Sequence, residues 1–283
     1  MIPLERYGEF ETAWCPGCGN FAIGKALKKA LSMLDLPPHK VLICSGIGQA
    51  AKTPHYLRCN CFNGLHGRSL PPAQGAALSN TELTVLAESG DGCSYGEGGN
   101  HFLAAMRRNV TMTYLVHDNQ IYGLTKGQAS PTTAQGQPTK FQPKGVASMP
   151  FNPIAVAVTM DVPFVARGYA AETDHLAGLI VQAVQHPGFA LVDILQPCVS
   201  FNKVNTYAWY KERCYKLGPE HDPTDRTAAM HKAQEFGERI PIGVIHKGNR
   251  PPFEGFIDPR VRRPLATSRP DMAKLASLLE TYA

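Results

Sequence analysis

Leu83-Thr84-Val85-Leu86-Ala87 runs through Glu88-Ser89 into Gly90-Asp91-Gly92, and Val110 to Val116 runs into His117-Asp118-Asn119. Residues 93–118, 26 in number, separate Gly92 from Asn119. Short apolar runs of this kind read as strands buried on both faces of a parallel sheet. Their polar ends then fall outside the carboxyl ends of neighbouring strands, where open α/β sheets bind ligands. An Asp carboxylate and an Asn carbonyl delivered there are hard oxygen donors, suited to a Mg²⁺ ion that also holds a diphosphate. Gly90 and Gly92 carry no side chain, so phosphate can approach backbone N–H groups. Gly96-Glu97-Gly98-Gly99-Asn100 is expected to open a helix over His101 to Arg108. A helix N-terminus aimed at a diphosphate is a ready anion site.

Working outward, the pattern stays α/β. Phe21 to Leu36 is amphipathic and stops at Pro37-Pro38. Val41-Leu42-Ile43-Cys44 is a short buried strand entering the turn Ser45-Gly46-Ile47-Gly48, and residues 52–72 read as loop. Pro72 to Ser79 is a closely packed helix, and Tyr122 to Pro150 a long Gly/Pro/Gln/Thr-rich loop of the length that usually carries function. Pro153 to Met160 is helical, Phe164 to Arg167 a strand, Asp174 to Gln185 a helix and Phe189 to Leu195 a last strand ending at Gln196-Pro197-Cys198. Alternating strands and helices imply a doubly wound parallel sheet over residues 1–204. From Asn205 the rhythm stops, so 205–283 is expected to be a C-terminal arm or cap, with one helix near each end of 221–283, packed on a partner.

The chain has 283 residues, and its 43% hydrophobic content supports a sizeable core. No run approaches the roughly 20 apolar residues of a membrane span. Met1 to Arg6 lacks the pattern of a signal peptide, so a cytoplasmic protein is expected. A net charge of +5 without a dense Lys/Arg run argues against nucleic acid as partner. Eight cysteines are many for a reducing compartment, which favours metal, cluster or redox roles over disulfides. Cys15-Pro16-Gly17-Cys18 suits half of a zinc knuckle, a redox dithiol or half of an iron–sulfur site. Cys44 and Cys198 lie at strand ends on the edge that carries Asp91. Cys44, Cys59, Cys61 and Cys93 are each equally readable as small buried hydrophobes.

The spacing from Gly90-Asp91-Gly92 to Asn119 resembles the thiamine diphosphate motif. By that resemblance Asp91, the Asn119 side chain and the Ile121 carbonyl hold Mg²⁺. With WCPGCGN at 14–20, SGIG at 45–48, LHGR at 65–68, DNQIYGLTKGQASPTT at 118–133 and QPCVSFN at 196–202, the chain resembles the β subunit of 2-oxoacid:ferredoxin oxidoreductases. The resemblance implies oxidative decarboxylation of a 2-oxoacid to an acyl-CoA, with thiamine diphosphate, Mg²⁺ and a [4Fe–4S] cluster as cofactors. Its implied partners are a separate α subunit in a heterodimer, ferredoxin, the 2-oxoacid and coenzyme A. It assigns Gly46, Ile47, Gly48, His66, Gly90, Asp91, Gly92, Asn119, Ile121, Gly123 and Leu124 to the cofactor, and His66 and Lys126 to catalysis.

Two details modify what is carried over. Similar family members read GIGC where this chain has Gln49. Cys15, Cys18 and Cys198 therefore transfer directly as cluster ligands, and Cys44 is the expected fourth. Cys59 or Cys61, a three-cysteine site and no cluster are the alternatives. Lys126, where pyruvate-type relatives tend to carry glycine, implies pairing with the distal carboxylate of 2-oxoglutarate. A pyruvate or broad-range enzyme is the alternative. A non-catalytic protein for electron transfer or scaffolding is a remoter one. A decarboxylase of the acetolactate-synthase kind fits poorly, because those chains are much longer and lack the CxxC.

Overall fold

The computed structural model describes residues 1–257 and 264–282. Among the described residues, eight strands form one sheet: β1 (Val41–Ser45), β2 (Asn60–Asn63), β3 (Thr84–Gly90), β4 (Met112–Asp118), β5 (Phe164–Tyr169), β6 (Phe189–Leu195), β7 (Cys214–Lys216) and β8 (Ile240–Lys247). Their spatial order is β2-β1-β3-β4-β6-β5-β8-β7. All pairings are parallel except β5 with β8. The doubly wound sheet is therefore present. β4 and β6 are buried at every position, as strands covered on both faces must be.

Strand alternation divides the core into two layers. On one face Cys44, Val85, Ala87, Tyr114, Val116 and Leu191 pack under α2 (Leu70–Ser79), α3 (Gly99–Arg108), α4 (Pro153–Thr159) and α7 (Arg226–Gln234). On the other, Ile43, Leu86, Leu115 and Val192 pack under α1 (Gly19–Met33) and α5 (Thr173–Gln185).

Three expectations need correction. The arm does not begin at 205. After α6 (Tyr207–Arg213), β7 and β8 complete the sheet, and α7 covers it. Pro241 and Gly243 break the apolar run of β8, and the register slips between Val165 and Ala166, so no clean strand period shows. Within 258–283, residues 258–263 and 283 lie outside the described residues, and α8 (Met272–Glu280) buries no side chain. Next, the segment read as loop over 52–72 contains the edge strand β2, exposed at all four residues and so without a hydrophobic pattern. Finally, helical structure starts immediately after Asp91. A wide-wound π segment, Gly92–Glu97, leads into α3 at Gly99.

Candidate active site

β3 and β4 pair in register, with Gly90 opposite His117, so Asp91 and Asn119 leave neighbouring strand ends together. Both line one cavity of about 430 Å³. Ile47, Gly48, His66, Gly90, Gly92, Ile121, Gly123 and Leu124 line it too. Gly48 has φ +131°, and a Cβ there would stand in open space. Gly46 is the exception among the expected cofactor residues. It does not line the cavity; its N–H donates to Ser89 Oγ at 3.2 Å, and a Cβ would meet Cys93 Sγ at 2.4 Å. Its glycine serves packing.

Asp91 is 2% exposed. Its Oδ2 accepts hydrogen bonds from Ser130 Oγ at 2.5 Å and Thr132 Oγ1 at 2.6 Å. Thr132 Oγ1 also lies 2.7 Å from Asp118 Oδ1. One hydroxyl proton cannot serve both carboxylates. Burial pushes Asp91 and Asp118 above the usual carboxylate range, the charges of Asp193 and Asp91 push Asp118 further, and the Ser130 and Thr132 hydroxyls oppose the rise at Asp91. Behind them Asp193 is raised to about 6 by burial, restrained by the hydrogen bond from Tyr95 Oη at 2.6 Å and by Arg167. Asn119 Oδ1 accepts from the Ile121 N–H at 3.0 Å, and Asn202 Nδ2 donates to the Asn119 carbonyl at 3.1 Å. Two hard oxygen donors and a helical N-terminus on one cavity fit Mg²⁺ with a diphosphate.

Cys15, Cys18 and Cys198 line a second, smaller cavity that shares Gln49, Asn119 and Gly123 with the first. The CxxC sits at the start of α1. Asn20 Oδ1 is 2.8 Å from His117 Nδ1, and Tyr207 Oη donates to the Gly17 carbonyl at 3.2 Å. Burial raises the Cys18 thiol, the thiols of Cys198 and Cys15 add to the rise, and Gln196 Nε2 donates to its sulfur at 3.3 Å.

Cys44 does not join them. It is fully buried in the layer under α2, whereas α1 lies across the other face of the sheet. Burial pushes its thiol up to about 12. On β2 the residue opposite Cys44 is Phe62 and Cys61 stands opposite Ile43, while Cys59, also raised to about 12 by burial, precedes that strand. Gln49 and Gln196 share the cavity with the three thiols, and the Oε1 of each is buried without a partner among the described residues. Among the described residues no three His, Cys, Asp or Glu side chains stand in metal-holding geometry. Three thiols converge, then, without closing on a centre, and a fourth is absent.

Lys126 is likewise outside the cavity wall. It is exposed at the tip of a turn with φ +75°. The wall beside it is Thr125, whose Oγ1 donates to Gln128 Oε1 at 2.6 Å, and Gln128 itself. Sequence reasoning also passed over Ser130, Thr132, Glu97 and Tyr122. The first two stand in the Ser130-Pro131-Thr132-Thr133 stretch, whose hydroxyls were the available signal.

Among the described residues no helix is long and apolar enough to cross a membrane. Residues 44–194 match the family described as thiamine pyrophosphate enzyme, C-terminal TPP binding domain. Residues 198–260 match the family described as the C-terminal part of the pyruvate ferredoxin oxidoreductase beta chain. The chain is 43% identical over 244 residues to 2-oxoacid:ferredoxin oxidoreductase 1, subunit beta, of Aeropyrum pernix, covering 82% of this chain and 77% of the relative. It is 44% identical over 252 residues to the 2-oxoacid:ferredoxin oxidoreductase subunit beta of a Sulfolobus species, covering 84% and 83%. It is 41% identical over 202 residues to 2-oxoglutarate oxidoreductase subunit KorB of Mycobacterium tuberculosis, covering 71% and 54%. A solved 2-oxoglutarate:ferredoxin oxidoreductase from Magnetococcus marinus, with 2-oxoglutarate, coenzyme A and succinyl-CoA bound, superposes with a TM-score of 0.90 at 34% identity, covering 98% of this chain and 96% of that one.

Proposed function

The chain belongs to the β subunits of the 2-oxoacid:ferredoxin oxidoreductases, and on that premise we propose that its cavity binds thiamine diphosphate and Mg²⁺ to decarboxylate 2-oxoglutarate oxidatively. The observation that carries this reading is Asp91 and Asn119 on one cavity, beside the helical start at Gly92 and three cysteines. Asp91 and Asn119, with the Ile121 carbonyl, would hold the ion. The Gly92–Glu97 segment would meet the diphosphate with backbone N–H groups. Thiamine diphosphate, when bound, supplies the electron sink for losing CO₂. The chain would orient it, and Ser130 and Thr132 fix the Asp91 carboxylate that would face the metal.

Cys15, Cys18 and Cys198 would hold an iron–sulfur cluster that passes electrons to ferredoxin, with coenzyme A as acyl acceptor. The chain offers three thiols there, so Cys44 is not part of this proposal. The cavity wall bears exposed Ile47 and Leu124, an apolar surface that the α subunit would cover. A second reading, a broad-range 2-oxoacid enzyme, is favoured by the neutral wall of Thr125, Gln128 and Gln49 and by the breadth of the relatives' names.

Coexpression with the α subunit, followed by thiamine, iron and sulfide analysis and a 2-oxoacid panel, tests the whole reading. In that complex Asp91→Asn is expected to lose Mg²⁺-dependent thiamine diphosphate binding in calorimetry. Wild-type affinity in the variant would sink the site assignment, and comparable rates on pyruvate and 2-oxoglutarate would select the broad-range reading.

A further inference from the structure

Glu97 ends the helical segment that begins at Asp91, and its carboxylate turns toward the cavity. Oε2 lies 2.8 Å from His66 Nε2 and accepts the Tyr122 hydroxyl at 3.0 Å. All three side chains line the cavity. Their approach is built into the backbone. A Cβ on Gly67, next to His66, would sit 2.5 Å from the Glu97 carbonyl carbon, and Gly67 itself has φ +71°. The remaining ring nitrogen, His66 Nδ1, is buried and has no partner among the described residues.

A carboxylate facing Nε2 keeps the proton of a neutral imidazole on that nitrogen. Nδ1 then carries a lone pair and can only accept. We propose that Glu97 is a positioning residue, which with Tyr122 fixes His66 as the Nε2–H tautomer on the wall of the cofactor cavity. The proposal rests on the cofactor reading above. Glu97 acts through His66, as a carboxylate behind a histidine commonly does. Tyr122 serves the same end by occupying the same carboxylate oxygen, which holds the Glu97 rotamer.

Long-range ¹H–¹⁵N correlation of His66 in the wild-type chain at pH 8 tests the tautomer without any cofactor. A protonated Nε2 and a bare Nδ1 are expected. An Nδ1–H tautomer or a doubly protonated ring would overturn the proposal. In the complex with the α subunit, Glu97→Ala should lower kcat about 10- to 100-fold. KM for 2-oxoglutarate and the thiamine diphosphate affinity should stay within about threefold, and the His66 nitrogen shifts should become those of a tautomer mixture. Glu97→Gln, which keeps an acceptor oxygen, should restore most of kcat, and Tyr122→Phe should lose severalfold. Unchanged kcat in Glu97→Ala, or an equal loss in Glu97→Gln, would refute the role. Wild-type protein that fails to bind thiamine diphosphate would instead remove the underlying reading, a distinct outcome.

Discussion

At the scale of single residues, surroundings decide what a charge is worth. Lys126 carries the expected charge for a second substrate carboxylate, yet its ammonium is exposed at a turn tip. An exposed pair contributes about 0.2–1 kcal/mol, at most roughly a fivefold effect, against the 1.5–3 kcal/mol or so of a desolvated one. Lys126→Ala should therefore change the ratio of 2-oxoglutarate to pyruvate kcat/KM less than about fivefold. A hundredfold change would show that the loop closes over the substrate and buries the ammonium. Asp193 shows the opposite case. Burial raises it from 3.8 to about 6, so between those values the folded chain keeps a proton that the unfolded chain releases. Its contribution to stability therefore falls as pH rises through that window. Burial lowers His101, His175 and His186, which act in the other direction, so the comparison is with Asp193→Asn, where they are unchanged. Urea unfolding of the metal-free chain should show wild type losing stability relative to Asp193→Asn from pH 4 to pH 6. A constant difference would mean that Asp193 ionises normally.

At the scale of elements, the junction of β3 with the Gly92–Glu97 segment does most to shape the site. A Cβ on Gly92 would lie 2.2 Å from the Tyr122 ring. Gly92→Ala must push that ring away, which disturbs the cavity wall from both sides. Thiamine diphosphate affinity should drop at least about tenfold, comparable to losing a supporting contact in a metal site. Because the clash is with one side chain, Gly92→Ala and Tyr122→Ala should couple, with an interaction energy of about 1–3 kcal/mol in a double-mutant cycle of unfolding. Additive effects would mean that the strain is taken up by the backbone. The long loop after Asn119 is also an element in its own right. The Gly136 N–H donates to the Val146 carbonyl, the Val146 N–H donates to the Gln137 carbonyl, and Thr133 Oγ1 donates to the Gln120 carbonyl at 2.6 Å. Its hydroxyls were visible in the sequence; what they bind was not, because Asp91 is about 40 residues away along the chain.

At the scale of the molecule, β8 is the last strand along the chain, and among the described residues the ties that follow it reach into the 250s. Asn109 Nδ2 donates to the carbonyls of Arg250 and Pro251, and Glu254 accepts from the Thr111 N–H at 2.8 Å. Because α8 buries no side chain, ending the chain after Pro270 should shift the thermal midpoint by no more than about 2–4 °C, the equivalent of 1 kcal/mol at this size. Ending it after Glu238, which removes β8, should prevent cooperative unfolding in calorimetry; a sharp transition there would mean that the sheet closes without β8. The sequence by itself determined the layered α/β order and the pairing of Asp91 with Asn119, because both follow from local apolar period and from polar residues at strand ends. Only the tertiary structure decided which cysteines meet, since strand alternation puts Cys44 on the face away from α1 while Cys198 arrives from a distant strand. It alone brought Glu97 to His66, and it alone revealed β8, because hydrogen bonding to β5 outweighs a local pattern broken by Pro241 and Gly243.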